Sequence, residues 1–126
     1  MDEFFDDSFQ THDMKLREPF FTEMLEGRKT VEIRLNDEKR QRIMIGDFVS
    51  FTLPEEEDER GLKLIVAEVI ALHRYASFAE LFDTELKDKS GFSAYTKEEA
   101  VQKMREFYFI DEEERYGVLG IELQVV

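Results

Sequence analysis

Glu32 and Arg34 stand two positions apart in the stretch EGRKTVEIRLNDEKRQRIMIGD, and Lys29 precedes the glutamate by three. On a strand, residues i and i+2 share one face with Cα atoms roughly 6.6 Å apart. A carboxylate and a guanidinium are thereby set side by side. In partial shelter under a helix, the guanidinium can hold a carboxylate or phosphate through two parallel hydrogen bonds. On an open surface the same pair is worth about 0–1 kcal/mol and serves nothing further. The spacing admits both arrangements. Lys29 follows Gly27, a helix-ending residue, and so falls in the turn before the strand, where the alternation does not apply. There it is either a solvated side chain or, if burial lowers its pKa, a base.

The surrounding charge is unusual. Residues 28–42 hold six basic side chains (Arg28, Lys29, Arg34, Lys39, Arg40, Arg42) against three acidic ones, in a chain of net charge -13. Such an acidic molecule repels long polyanions, because nonspecific nucleic-acid binding is chiefly phosphate neutralisation by Lys and Arg. Long duplex DNA is excluded as a partner. A local basic site for one nucleotide, a short single strand or another small anion is not.

Other candidates are weaker. The two histidines, His12 and His73, are isolated and there is no cysteine, so no zinc-ligand set forms and no metal or cofactor is expected. His73 reads as a rim or packing residue. The runs PEEEDERG and DEEER read as solvated loops, and no phosphate-cradling glycine loop or Ser-His-Asp set is present.

The elements that position these residues follow from periodicity. MKL at 14–16 makes a first strand, and EPFFTEMLEG a compact helix with Pro19 in its first turn and Gly27 at its end. KTVEIRL switches to a period of two: Val31, Ile33 and Leu35 fill the interior, and Glu32 and Arg34 point to the outer face. A turn at Gly46-Asp47 leads into FVSFTL, and LKLIVAEVIALHRY makes a long, largely buried strand. Ser77 with Glu80 and Thr96 with Glu99 are reciprocal caps opening two helices. KDKSGFSAY between them is a loop, DEEERYG one capped turn, and VLGIELQVV the last strand. The order β-α-β-β-β-α-α-β predicts an α+β fold: a small mixed or antiparallel barrel of about five strands flanked by helices. Such barrels bind ligands at a mouth or beside a helix.

At 126 residues the chain suits one domain, here residues 12–126 behind an acidic, aromatic segment 1–11 that is either a loose tail or a short packed helix. No apolar run approaches the roughly 20 residues that cross a bilayer, and no signal peptide is discernible. A cytoplasmic protein without membrane partners is expected.

LEGRKTVEIRLNDEKRQRIMIGDFVSF resembles the signature of the ASCH domain family, Gly-x-Lys-x-x-Glu-x-Arg followed by Gly-Asp. It is met at Gly27, Lys29, Glu32, Arg34 and Gly46-Asp47. YASFAELF at 75–82 and RYGVLGIEL at 115–123 are similar to the family's downstream blocks. The resemblance implies a PUA-like barrel that binds RNA or a nucleotide-like ligand in a cleft beside the signature strand. Lys29, Glu32 and Arg34 would line that cleft, with Arg28 and Tyr75 as further ligand-binding candidates. Some small bacterial members are amidohydrolases that deacylate N4-acetylcytidine through a Lys, a Thr and a Glu. Lys29 matches the lysine, but Glu32 stands where the threonine would be. The leading reading is therefore binding of RNA, a nucleotide or a nucleoside-like molecule. A hydrolase with Lys29 and Glu32 as catalytic groups is the alternative, and a protein-interaction module using the Phe-rich N-terminus a third.

Overall fold

A computed structural model describes residues 9–126. The expectation for the acidic N-terminal segment falls largely on residues 1–8, outside the described residues. Five strands form one mixed sheet: β1 (Thr11–Lys15), β2 (Val31–Leu35), β3 (Phe48–Thr52), β4 (Leu64–Tyr75) and β5 (Val118–Val125), in the spatial order β1-β3-β4-β5-β2. Only β1 and β3 pair in parallel; the other three pairs are antiparallel. The small α+β barrel expected from the element order is thus present, and it is open, because β1 and β2 are both edge strands.

Helix α1 (Phe20–Leu25) connects these two edges in sequence, and α2 (Phe78–Phe82), α3 (Lys97–Met104) and α4 (Ile110–Tyr116) lie between β4 and β5. Two caps open helices as the sequence implies. Thr96 Oγ1 accepts from the Glu99 amide at 3.1 Å while Glu99 accepts from the Thr96 amide at 2.8 Å. Ser77 Oγ accepts from Glu80, but Glu80 reaches back to Ala76 instead. Three expectations are corrected. DEEERYG is not one turn but most of α4, ended by Gly117 at φ 71°. KDKSGFSAY is not an open loop: Asp88–Phe92 make a wide helical turn with Ser90 and Phe92 buried. β4 is buried on one face only, through Ile65, Ala67 and Val69, while Leu64, Glu68 and Ile70 are exposed.

The apolar side chains form two cores on opposite faces of the sheet. The inner one gathers Met14, Leu16, Val49, Phe51, Ile65, Val69, Leu119, Ile121 and Leu123, with Phe21 and Met24 of α1 closing it. The outer one places Val31, Ile33, Leu35 and Val118 beneath Phe78, Leu81 and Phe82 of α2 and Ala100 and Met104 of α3. Buried Glu113 ties the helices together, accepting from the Phe78 amide at 2.6 Å and from Arg105 Nη2 at 2.6 Å.

Asp47 anchors the turn into β3. Its Oδ1 accepts from the Gln10 amide at 3.0 Å, and its Oδ2 from the Met44 amide at 3.0 Å and from His12 Nε2 at 2.8 Å. Burial acts to raise the Asp47 pKa, but His12 and the two amides outweigh it and hold the carboxyl below its ordinary value. A depressed carboxylate pKa adds stability above the unfolded-state value and loses it as pH falls through the folded one. Asp47→Asn is therefore expected to cost about 1–2 kcal/mol in urea unfolding at neutral pH. The gap to the parent should close in acid.

Candidate functional site

The β2–β5 register decides which way the ionic residues face. Glu32 pairs with Ile121 and Arg34 with Leu119, both in the inner core, whereas Leu35 pairs with Val118 of the outer one. The expected assignment is therefore reversed. Val31, Ile33 and Leu35 pack outward under the helices, and Glu32 and Arg34 point inward at the open seam between β2 and β1. Parity separates two faces, but only the pairing partner tells which is inside.

At that seam Lys29, Glu32 and Arg34 form a buried ionic triad. Lys29 is 3% exposed and Glu32 5%. The Lys29 Nζ donates to Glu32 Oε1 at 2.9 Å, to the Val31 carbonyl at 2.8 Å and to the Ser90 carbonyl at 2.8 Å. Arg34 Nε donates to Glu32 Oε2 at 2.7 Å, and Arg34 Nη2 lies 2.7 Å from that oxygen and 2.7 Å from the Lys15 carbonyl. The guanidinium thus bridges the two edge strands. The Tyr108 hydroxyl also lies against the guanidinium. The helical turn at Ser90 supplies one of the three acceptors around Lys29.

Burial pushes the Lys29 ammonium below the ordinary lysine range, while Glu32 pulls it back. Three acceptors around one nitrogen favour the ammonium, because a neutral amine has only two hydrogens to give them. Burial also acts to raise Glu32, but Lys29 and Arg34 together hold its carboxyl below the usual carboxylate range. For Arg34 burial acts to lower the pKa, but Glu32 and Tyr108 together outweigh it, and the pKa rises. Burial pushes the neighbouring Tyr108 phenol up, against the pull of Arg34, so it remains an O–H donor at neutral pH.

The triad forms the floor of a cleft of about 520 Å³, walled by Phe20, Ile33, Phe92, Met104, Phe107 and Tyr108 and rimmed by Lys15, Arg17, Glu18, Glu55 and Lys103. The Phe20 and Phe92 rings meet at 5.1 Å, and Lys29 Nζ stands 5.5 Å from the Phe20 centroid. An aromatic slot with a carboxylate and a guanidinium at its base matches a flat, polar-edged ring: stacking surface on the walls, donors and acceptors at the floor.

Of the five residues expected at the site, Lys29, Glu32 and Arg34 come together and two do not. Arg28 is exposed and binds Glu23 and Glu26, and Tyr75, at the end of β4, packs on the outer core. Neither lines the cleft. Elsewhere in the basic window Arg40 pairs with Asp37 at 3.1 Å. His73 pairs with Glu122 at 2.8 Å on the sheet. Phe20, Phe92, Phe107 and Tyr108 also line the cleft, and nothing in their periodicity marks them as walls of a cavity. Among the described residues no cluster of three metal-ligating side chains occurs, and no helix is long and apolar enough to cross a membrane.

The profile of the ASCH domain matches residues 14–124, which includes every residue that lines the cleft. The chain belongs to the ASCH domain family. Two solved structures are similar over nearly their whole length. The crystal structure of a hypothetical protein, PH0355, is 31% identical over 92% of this chain and 99% of its own, with a TM-score of 0.78. The solution structure of PF0455 from Pyrococcus furiosus is 33% identical over 92% and 97%, with a TM-score of 0.72. An ASCH protein from Zymomonas mobilis, crystallised as an S128A mutant, shares the fold at 18% identity over 90% of this chain and 67% of its own (TM-score 0.56). No functionally curated protein matches the chain. Lys29, Glu32 and Arg34 lie within this ASCH domain as the triad at the seam.

Proposed function

We propose that this ASCH protein binds the base of a nucleoside, nucleotide or short single-stranded RNA in the cleft between its edge strands, without covalent chemistry. One observation carries the reading: a buried Lys29–Glu32–Arg34 triad opens into an aromatic-walled cleft of about 520 Å³. Base–aromatic stacking contributes about 1–3 kcal/mol per base. The Arg34 guanidinium, with the Tyr108 hydroxyl beside it, and Glu32 Oε1 would give the base edge donors and an acceptor.

The same geometry favours binding over hydrolysis. All three Lys29 hydrogens are committed, so a neutral Lys29 acting as base leaves one of its acceptors without a hydrogen. Glu32 is held by two cations and is a poor proton acceptor. Equilibrium titration with nucleosides, nucleotides and short RNAs at low salt tests this. Saturable binding is expected, weakened about tenfold or more by Phe20→Ala and by Arg34→Lys, which keeps the charge but loses the fork. Undetectable binding across the panel, or affinities indifferent to both substitutions, would overturn it. So would turnover of acylated nucleosides.

A further inference from the structure

The cleft differs in charge from the rest of the molecule. Its lining holds five basic residues against three acidic ones, in a chain of net charge -13. Lys29 and Arg34 are tied to Glu32 at the floor, so the outer lining consists of Lys15, Arg17 and Lys103 against Glu18 and Glu55. Glu18 is already occupied: its two oxygens accept from the Thr22 amide at 2.9 Å and the Thr22 hydroxyl at 2.7 Å. The three cations have only exchangeable partners. Lys15 Nζ donates to Thr52 Oγ1 at 3.1 Å, Arg17 pairs with the exposed Glu56 at 2.9 Å, and Lys103 pairs with Glu106 at 3.2 Å. Surface pairs of this kind contribute about 0–1 kcal/mol each and give way to a phosphate, which binds Lys and Arg through stronger charge-assisted hydrogen bonds.

We propose that Lys15, Arg17 and Lys103 form a phosphate clamp at the mouth, so that the ligand is phosphate-bearing, a nucleotide rather than a free nucleoside. The clamp rests on the base-binding reading above. Lys15 and Arg17 come from the β1 side of the mouth and Lys103 from the last turn of α3, so a phosphate there meets positive charge from two elements. A base seated on the floor leaves its sugar and phosphate at this rim. Glu18 and Glu55 are the rim carboxylates that work against the phosphate; Glu18 is held by Thr22, so the exposed Glu55 is the one to vary.

The experiment compares each nucleoside with its 5′-monophosphate and with the dinucleoside monophosphate, by calorimetric titration at low and near-physiological salt. The phosphate-bearing forms should bind about tenfold tighter at low salt, with the advantage shrinking as salt screens the rim. Lys15→Gln, Arg17→Gln and Lys103→Gln combined should bring the nucleotide-to-nucleoside affinity ratio toward one. Glu55→Gln should raise that ratio about threefold. A preference for the terminal monophosphate points to a free nucleotide, and one for the internal phosphodiester to a strand; either supports the clamp. A ratio of one in the parent protein, or a ratio unmoved by these variants, overturns the clamp while the base site stands. Failure of nucleoside and nucleotide alike to bind removes the base site as well.

Discussion

Glu32→Ala is expected to cost about 3–5 kcal/mol of folding stability, because it leaves Lys29 and Arg34 buried together without their shared counter-charge. The loss should appear as a shifted midpoint in urea unfolding with an unchanged slope. The pH dependence carries a sign. The Glu32 pKa lies below the ordinary carboxylate range in the folded protein, so the stability it contributes is complete at neutral pH and disappears as pH falls through that lowered value. The alanine variant lacks this acid-sensitive contribution, and the two curves should converge in acid. A second variant separates stability from purpose. Replacing a whole buried ionic triad by apolar residues of similar volume is often neutral or stabilising. Lys29→Met, Glu32→Leu and Arg34→Met in one chain should therefore recover most of the stability lost in Glu32→Ala, yet bind no ligand. If packing were the triad's only role, aliphatic side chains would fill the seam as well, and under the proposed function it is ligand binding that the triple variant loses. Full stability in Glu32→Ala would show that the triad is wetter and looser than its geometry states.

The second large effect is expected at Gly91. Its φ of 91° is one that side chains rarely adopt, and a Cβ there would stand 2.8 Å from Phe20 and 3.4 Å from Lys29. Gly91→Val combines a β-branched residue in the left-handed region with overpacking, each costing about 1–3 kcal/mol. A loss of about 3–4 kcal/mol in chemical denaturation follows from the two terms together. Gly27 is the internal comparison, with a φ of 85° but nothing within 4 Å of an added Cβ. Gly27→Ala should cost only the backbone strain, about 1 kcal/mol. In Gly91→Ala the milder clash should push the Phe20 ring across the cleft, so the folded protein binds ligand more weakly. Equal costs for alanine at 27 and 91 would contradict the packing described around Lys29 and Phe20.

How far the sequence speaks is clearest along β2. The alternation of VEIRL separated Glu32 and Arg34 from Val31, Ile33 and Leu35, and the signature spacing brought Lys29 to them. The inside of the barrel could not be read there, because both faces of β2 are covered: one by helices, the other by the inner core and the cleft. That a burial pattern alternates tells nothing when neither side is water. The placement of Lys29 depended on Ser90, sixty-one residues away, whose carbonyl is offered by a turn that polar composition marks only as loop. Phe20, Phe92 and Tyr108 are apolar residues on elements that also build a core. Their second role as cleft walls arises from the gap between β1 and β2, and such a gap has no local sequence signal. Arg28 and Tyr75 show the converse limit, since adjacency to a motif in sequence did not bring them to the site.

The central claim, that a base is seated on the Lys29–Glu32–Arg34 floor, is tested most directly by heteronuclear NMR during titration with a nucleoside 5′-monophosphate. The Arg34 Nε–H resonance, the amides of Thr30 to Arg34 and the ring protons of Phe20 and Tyr108 should shift together and saturate at one ligand concentration. Saturable shifts confined to the Lys39–Arg42 turn, with the Arg34 Nε–H and the Phe20 ring unmoved, would contradict it.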